Sequence, residues 1–188
     1  NAQIYTNATF GVGAWTAVDS SRNWISVTVS ADGKNQSAAV ATSGQIYFSR
    51  NYGATWSTTA GVDIMGNKWQ DVAVAAETGA VQVTCVSGGY IYYSGDTGAT
   101  GTSSIVSIHG VAPQTTNRAW QAVALSANGQ YGLACVNSTT ASGFLYRSLN
   151  YGASWTSSSV VIDGVSPQTT NRAWQDVGMS ANGKYQVA

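Results

Sequence analysis

One cation and one tryptophan recur as a pair four times along the chain: Arg22 with Trp24, Lys68 with Trp69, Arg118 with Trp120, and Arg172 with Trp174. Asparagine accompanies every pair, at Asn23, Asn67, Asn117 and Asn171, and glutamine follows three of the tryptophans, at Gln70, Gln121 and Gln175. These residue types suit sugar recognition, because an indole stacks on the apolar face of a pyranose while amides and guanidinium groups bond its hydroxyls. Four copies would turn individually weak sites into an avid surface. The eight residues of the pairs are therefore the candidate ligand contacts. The same residues also suit packing, with Trp wedged between sheets and the cation closing the connection.

Catalytic chemistry finds less support. The chain has five Arg and a single Glu, Glu77, which falls in a hairpin turn. Its acids repeat: Asp19, Asp63 and Asp163 occupy equivalent connections, with His109 in that place in one repeat, and Asp71 matches Asp176. A glycosidase-type pair needs two carboxylates in different environments, whereas repeated acids are expected to share one. The expectation is no enzymatic activity and no catalytic residue. His109 stands without the partners that a metal centre requires, so no metal and no cofactor are expected. Cys85 and Cys135 sit at equivalent positions of adjacent repeats and read as buried free thiols, with a disulfide as the alternative. Asn7, Asn35 and Asn137 head Asn-x-Ser/Thr patterns, a cheap motif in a chain this rich in those residues.

The elements that must position these residues follow from internal repetition. Residues 111–121 and 165–175 are identical at ten of eleven positions, 54 residues apart. Looser copies begin at Trp24 and Trp69, giving four repeats. After each Trp comes a run of alternating residues, then a turn such as Asp32-Gly33, Asn128-Gly129 or Asn182-Gly183, the strongest short-range hairpin signal. A second strand, a loop, an aromatic third strand (45–49, 90–94, 144–148) and a fourth strand complete the unit. Four antiparallel strands in about 48 residues is the pattern of a β-propeller blade. The blades are expected at 24–64, 69–108, 120–163, and 174–188 joined with 1–18. This fold class is all-β: one propeller domain of four antiparallel four-stranded blades, the last closed by the N- and C-terminal strands. The competing arrangement pairs those half-blades between chains.

Composition agrees with that architecture and excludes other classes. The 188 residues carry 8 basic and 8 acidic side chains, and only 9% are charged. That balance argues against nucleic acid, which needs clustered Lys and Arg. No apolar run approaches the ~18 residues of a membrane span. Ser (23), Thr (20) and Gly (21) make up more than a third of the chain, yet 44% hydrophobic residues and 7 Trp exclude a disordered linker. The chain opens without Met or a signal sequence, as a processed chain or an excised segment does.

Between the third and fourth strands lie Ser49-Arg50-Asn51-Tyr52-Gly53-Ala54-Thr55-Trp56 and Ser148-Leu149-Asn150-Tyr151-Gly152-Ala153-Ser154-Trp155. A third copy, around Ser94, Asp96 and Gly98, keeps Asp and lacks the Trp, and a fourth, 7–15, is degenerate. These segments resemble the Asp-box of sialidase-like (BNR repeat) propellers, with Asn in place of Asp in two copies. The resemblance implies a structural role for Ser49, Asn51, Gly53, Trp56, Ser94, Asp96, Gly98, Ser148, Asn150, Gly152 and Trp155, and it implies no chemistry. Together the readings lead to one expectation. The chain is a secreted or cell-surface recognition propeller without catalysis, binding a glycan or an extracellular protein. Alternatives are a self-associating structural subunit, and so a homo-oligomer, or a degenerate glycoside hydrolase.

Overall fold

The computed structural model describes residues 2–9, 11–41, 44–61, 67–107, 117–138, 143–158 and 172–188. Asp63, His109, Asp163, Asn171 and much of the near-identical segments 111–121 and 165–175 lie outside the described residues. Among the described residues every regular element is a strand.

A two-stranded sheet opens the chain, β1 (Tyr5–Thr6) with β2 (Thr16–Ala17). The first blade follows as β3 (Trp24–Val29), β4 (Gln36–Val40), β5 (Ile46–Ser49) and β6 (Ser57–Thr58), each antiparallel to the last. The second is β7 (Trp69–Val74), β8 (Gln82–Gly89), β9 (Ile91–Ser94) and β10 (Thr102–Ser103). After β11 (Ile105–Ser107), the third is β12 (Arg118–Leu125), β13 (Gly132–Val136), β14 (Leu145–Ser148) and β15 (Ser154–Ser157). A two-stranded sheet of β16 (Gly178–Met179) and β17 (Gln186–Val187) ends it. The expected union of the two terminal pairs into one blade is not made: β1 with β2 and β16 with β17 remain separate sheets.

Successive blades pack through their innermost strands, β3 against β7 and β7 against β12. The core consequently lies between blades. Ala39 and Ile46 of the first blade meet Trp69, Val72, Val86 and Tyr92 of the second. Val83, Cys85 and Ile91 of the second, with Val106, meet Trp120, Val123, Val136, Tyr146 and Trp155 of the third. Small residues on the second strands, Ala38, Ala39, Ala134, Cys85 and Cys135, are buried and leave room for these large rings. Truncating a fully buried Trp in such a core costs about 3–5 kcal/mol. At the rim, β11 runs parallel to β15 of the following blade, and Ala60 bridges Thr100 in the same parallel sense, so each blade's tail clasps its successor.

The Ser-x-Asn/Asp-x-Gly turns adopt one geometry in the first, second and third blades. Gly53 N–H and Gly98 N–H donate to Ser49 Oγ (3.0 Å) and Ser94 Oγ (3.1 Å), and Gly152 N–H donates to Ser148 Oγ (3.0 Å). Asn51, Asp96 and Asn150 each accept from the backbone N–H four residues on. The residue before the glycine is left-handed as well, at φ 60° for Tyr52, 57° for Thr97 and 61° for Tyr151. Non-glycine residues pay for that conformation with strain, and the repeated side-chain bonds hold it. Trp56 and Trp155 each donate Nε1–H to the carbonyl of their turn glycine, at 3.1 and 2.9 Å.

Candidate functional site

Antiparallel connectivity places the starts of β3, β7 and β12 on one edge of the array, opposite the Ser-x-Asn/Asp-x-Gly turns. On this strand-start edge the cation and tryptophan pairs come together, and the structure divides their roles. Trp69 and Trp120 are 0% and 1% exposed, so these indoles pack between blades and offer no face for a sugar to stack on. The rings meet strand-three tyrosines edge to face, Trp24 with Tyr47, Trp69 with Tyr92 and Trp120 with Tyr146, at centroid distances of 5.3, 5.6 and 4.8 Å. Nε1–H of Trp69 donates to Gly44 O of the preceding blade (2.9 Å), and Nε1–H of Trp174 donates to Gly143 O in the same way (3.0 Å). Trp24 and Trp174 are half-buried. Of the two roles open to these tryptophans, Trp69 and Trp120 take packing: the apolar surface that Trp shares with its Tyr drives it between blades.

The cations divide as well. Arg118 is buried, with its guanidinium 5.4 Å from the Tyr146 ring centre. Arg22 stacks over Tyr47 at 4.5 Å and pairs with Asp19 at 3.4 Å, its side chain one third exposed. Lys68 and Arg172 are exposed. Asn23, Asn117 and Tyr90 are exposed on the same edge. What this edge presents to a ligand is therefore a rim of positive charge, amide and phenol.

Sequence reading missed the centre of the array. Strands β3, β7 and β12 each carry a bulge just after the Trp, and at Ser26 and Asp71 the side chain there bonds to a neighbouring blade. Asp71 is the strongest case. Its Oδ1 accepts from Ser26 Oγ–H (2.7 Å) in the first blade and from its neighbour Val72 N–H (2.8 Å), while Oδ2 accepts from Val123 N–H (3.0 Å) in the third. Burial pushes the Asp71 carboxyl up, the bonds from Val123, Ser26 and Val72 oppose it, and the nearby Asp176 charge adds to the rise. Asp176, at the matching sequence position of the last repeat, is exposed and accepts from Val177 N–H (2.8 Å). The repeated acids do not share one environment, contrary to the expectation used against catalysis. Asp71 is held between two neighbouring blades, whereas Asp176 is exposed. The signal in the sequence was a polar residue two places after three of the four tryptophans, Ser26, Asp71 and Asp176, with Ala122 at the fourth.

Cys85 and Cys135 are buried free thiols behind the innermost strands. Burial raises both, Cys135 to about 11, and Asp71 raises them further. Among the described residues no group of three or more His, Cys, Asp or Glu is placed to hold a metal ion.

The sequence matches no family model and no curated relative. Solved structures do match, and they are β-propeller proteins. A GH74 enzyme from Niastella koreensis is 28% identical over 73% of this chain, with a TM-score of 0.50. A GH74 xyloglucanase from Xanthomonas campestris is 19% identical over 94%, with a TM-score of 0.61. YCF48 bound to a D1 peptide is 13% identical over 72%, with a TM-score of 0.53. This chain spans 18%, 27% and 40% of those three chains, respectively. The fold is thus an all-β propeller array. The expectation of a chain without catalysis is overturned by the same finding, since glycoside hydrolases are among the proteins that share this fold.

Proposed function

We propose that the chain is an extracellular recognition module that binds a polypeptide carrying acidic groups across its strand-start edge. The observation that supports this reading is the rim of Arg22, Lys68 and Arg172, accompanied by exposed Asn23, Asn117 and Tyr90. Cations spread along one edge favour an extended partner, because weak contacts made together add through effective concentration. The likeness to YCF48, solved with a peptide, agrees with a protein partner. Arg22 is pre-organised for the task by its stacking on Tyr47, which lowers the entropy lost on binding.

A second reading is glycan binding, favoured by the 28% identity to a GH74 enzyme. Arrays of acidic, neutral and basic peptides, and of plant and bacterial oligosaccharides, separate the two. The protein is expected to retain acidic peptides at low ionic strength and to lose them as salt rises. Arg22→Gln, Lys68→Gln and Arg172→Gln combined are expected to weaken binding at least tenfold, about 1.4 kcal/mol. Retention of oligosaccharides alone would establish the second reading, and peptide binding unchanged in the triple variant would refute this assignment of the surface.

A further inference from the structure

The turn glycine of the second blade is served differently from that of the third. Gly152 O accepts two side-chain bonds, from Trp155 Nε1–H of its own turn (2.9 Å) and from Ser104 Oγ–H, which reaches across from the second blade (2.6 Å). Gly98 is the corresponding glycine one blade earlier. Gly101 stands there in place of the tryptophan, so no indole donates. The counterpart of Ser104 is Thr59 of the first blade, since Thr59 N–H bonds to Ile46 O as Ser104 N–H bonds to Ile91 O. Thr59 is buried, and among the described residues its Oγ1 meets no hydrogen-bond partner. Neither donor that serves Gly152 O therefore reaches Gly98 O.

A second orphan lies beside the first. Gln82 is 4% exposed, and its Oε1 accepts from Ser37 Oγ–H of the first blade (2.6 Å), which orients the amide. Its Nε2 meets no partner among the described residues. Two equivalent glutamines bond back to their own hairpin turns, Gln36 Nε2–H to Gly33 O (3.0 Å) and Gln186 Nε2–H to Gly183 O (3.1 Å). The turn before Gln82 is one residue longer, because Val74 pairs with Gln82 where Val29 pairs with Gln36. It closes from Gly79 N–H to Ala75 O rather than by the tighter bond of Gly33 N–H to Ser30 O, and the return bond from the amide is not made. The amide instead lies against Gly98, where a Cβ would stand 2.6 Å from Gln82 Oε1 and 3.1 Å from its Cδ.

Both orphans line one cavity of about 20 Å³ between the first and second blades, together with Gly98 and Gly101 and with apolar walls that include Ile46 and Tyr92. A cavity holds a water once its room reaches about 10–15 Å³ and two to four polar groups bond the molecule. Buried polar groups in folded proteins are paired with protein or with ordered water, so two orphans on one small cavity call for a shared partner.

We propose that this cavity binds a single water molecule, which takes over the role of the missing indole N–H. The water accepts from Gln82 Nε2–H, donates to Gly98 O and bonds the Thr59 hydroxyl. Size and chemistry both select it. The room admits one small molecule, and the occupant must accept from the amide as well as donate to the carbonyl. An ammonium ion has no lone pair for the Gln82 donor. The bound water thus replaces the direct bond from Ser104 to Gly152 as the polar link between blades. The site is independent of the peptide reading, which uses the opposite edge of the array.

The test is NMR of the full chain with ¹⁵N-labelled glutamine side chains. The Gln82 NH₂ protons are expected to show cross-peaks to water of opposite sign in NOE and ROE spectra, as a held water gives and proton exchange does not. Absence of these peaks overturns the proposal. Thr59→Val is expected to keep them, with Gln82 and Gly98 still binding the water, and their loss would show that the Thr59 hydroxyl carried the signal and overturn the site. In Gly101→Trp the peaks are expected to vanish and the new indole N–H to exchange at least tenfold more slowly than an exposed one. Peaks that persist in that folded variant would overturn the placement of the water, and the first two spectra decide the matter whether or not the indole is accommodated.

Discussion

Asp71 offers the sharpest test of the idea that the innermost strands are tied together by a bulge side chain. In Asp71→Ala, Val72 N–H keeps an acceptor in Ser26 Oγ at 3.3 Å, and the Ser26 hydroxyl is free to turn. Val123 N–H loses the carboxylate at 3.0 Å and has no substitute. Leaving one buried donor unmatched costs about 1–3 kcal/mol, and relief of the buried carboxylate offsets part of it. The net loss expected is about 1–2 kcal/mol. Alanine fits sterically, since Ala122 holds the equivalent position in the third blade.

Amide hydrogen exchange reads the effect locally. The Val123 amide is expected to exchange about five- to thirtyfold faster, while amides of the Asp-box turns do not change. Asp71→Ser, which imitates Ser26, is expected to recover most of the protection. The pH dependence has a definite sign. Because the folded carboxyl is raised above its ordinary value of 3.8, the folded state holds its proton more tightly than the unfolded chain. The stability difference between the natural chain and Asp71→Ala therefore widens as pH falls through the folded pKa and levels off below 3.8. Unchanged exchange at Val123 would refute the clamp, and a difference that narrows in acid would show that the bonds to Asp71 outweigh its burial.

Two further outcomes are expected. Gly98→Ala places a Cβ 2.6 Å from Gln82 Oε1 and 2.9 Å from Phe48 Cβ at a φ of +84°, whereas Gly88→Ala, at +76°, meets nothing within 4 Å. Gly88→Ala should cost only the left-handed strain of about 1–2 kcal/mol, and Gly98→Ala a further ~1–3 kcal/mol from overpacking, compared by urea midpoints. Equal midpoints would contradict the inter-blade packing of the Asp-box. The thiols of Cys85 and Cys135 should resist an aromatic disulfide reagent at neutral pH and react fully in denaturant. Their pKa values lie above the ordinary 9.0, so stability is expected to hold below pH 9 and to decline as pH rises toward 11, where Cys135 ionises.

The repeat was legible because a propeller blade is built from local signals. Asp-Gly and Asn-Gly turns at 32–33, 128–129 and 182–183, alternating strands after each Trp, and the Ser-x-Asn/Asp-x-Gly turns act over a few residues, so one strand of text suffices to place them. Their hydrogen bonds join positions two to five residues apart, as Ser49 with Asn51 and Gly53 or Ser30 with Asp32 and Asn35. The candidate site was legible only in composition. Which cations face water and which tryptophans are consumed by packing depends on contacts some 45 residues apart in sequence, such as Ser26 with Asp71.

The sequence by itself therefore determined the unit: its four strands, its turns, and the recurrence of a cation, an amide and a Trp at the head of each innermost strand. Only the tertiary structure decided what the unit does with them. Stacking one blade on the next buries Trp69, Trp120 and Arg118, leaves Lys68 and Arg172 in solvent, and gives Asp71 and Asp176 unlike surroundings from identical positions. The physical reason is that local rules act within a repeat, whereas burial is set by whether a neighbour stands on each side of it.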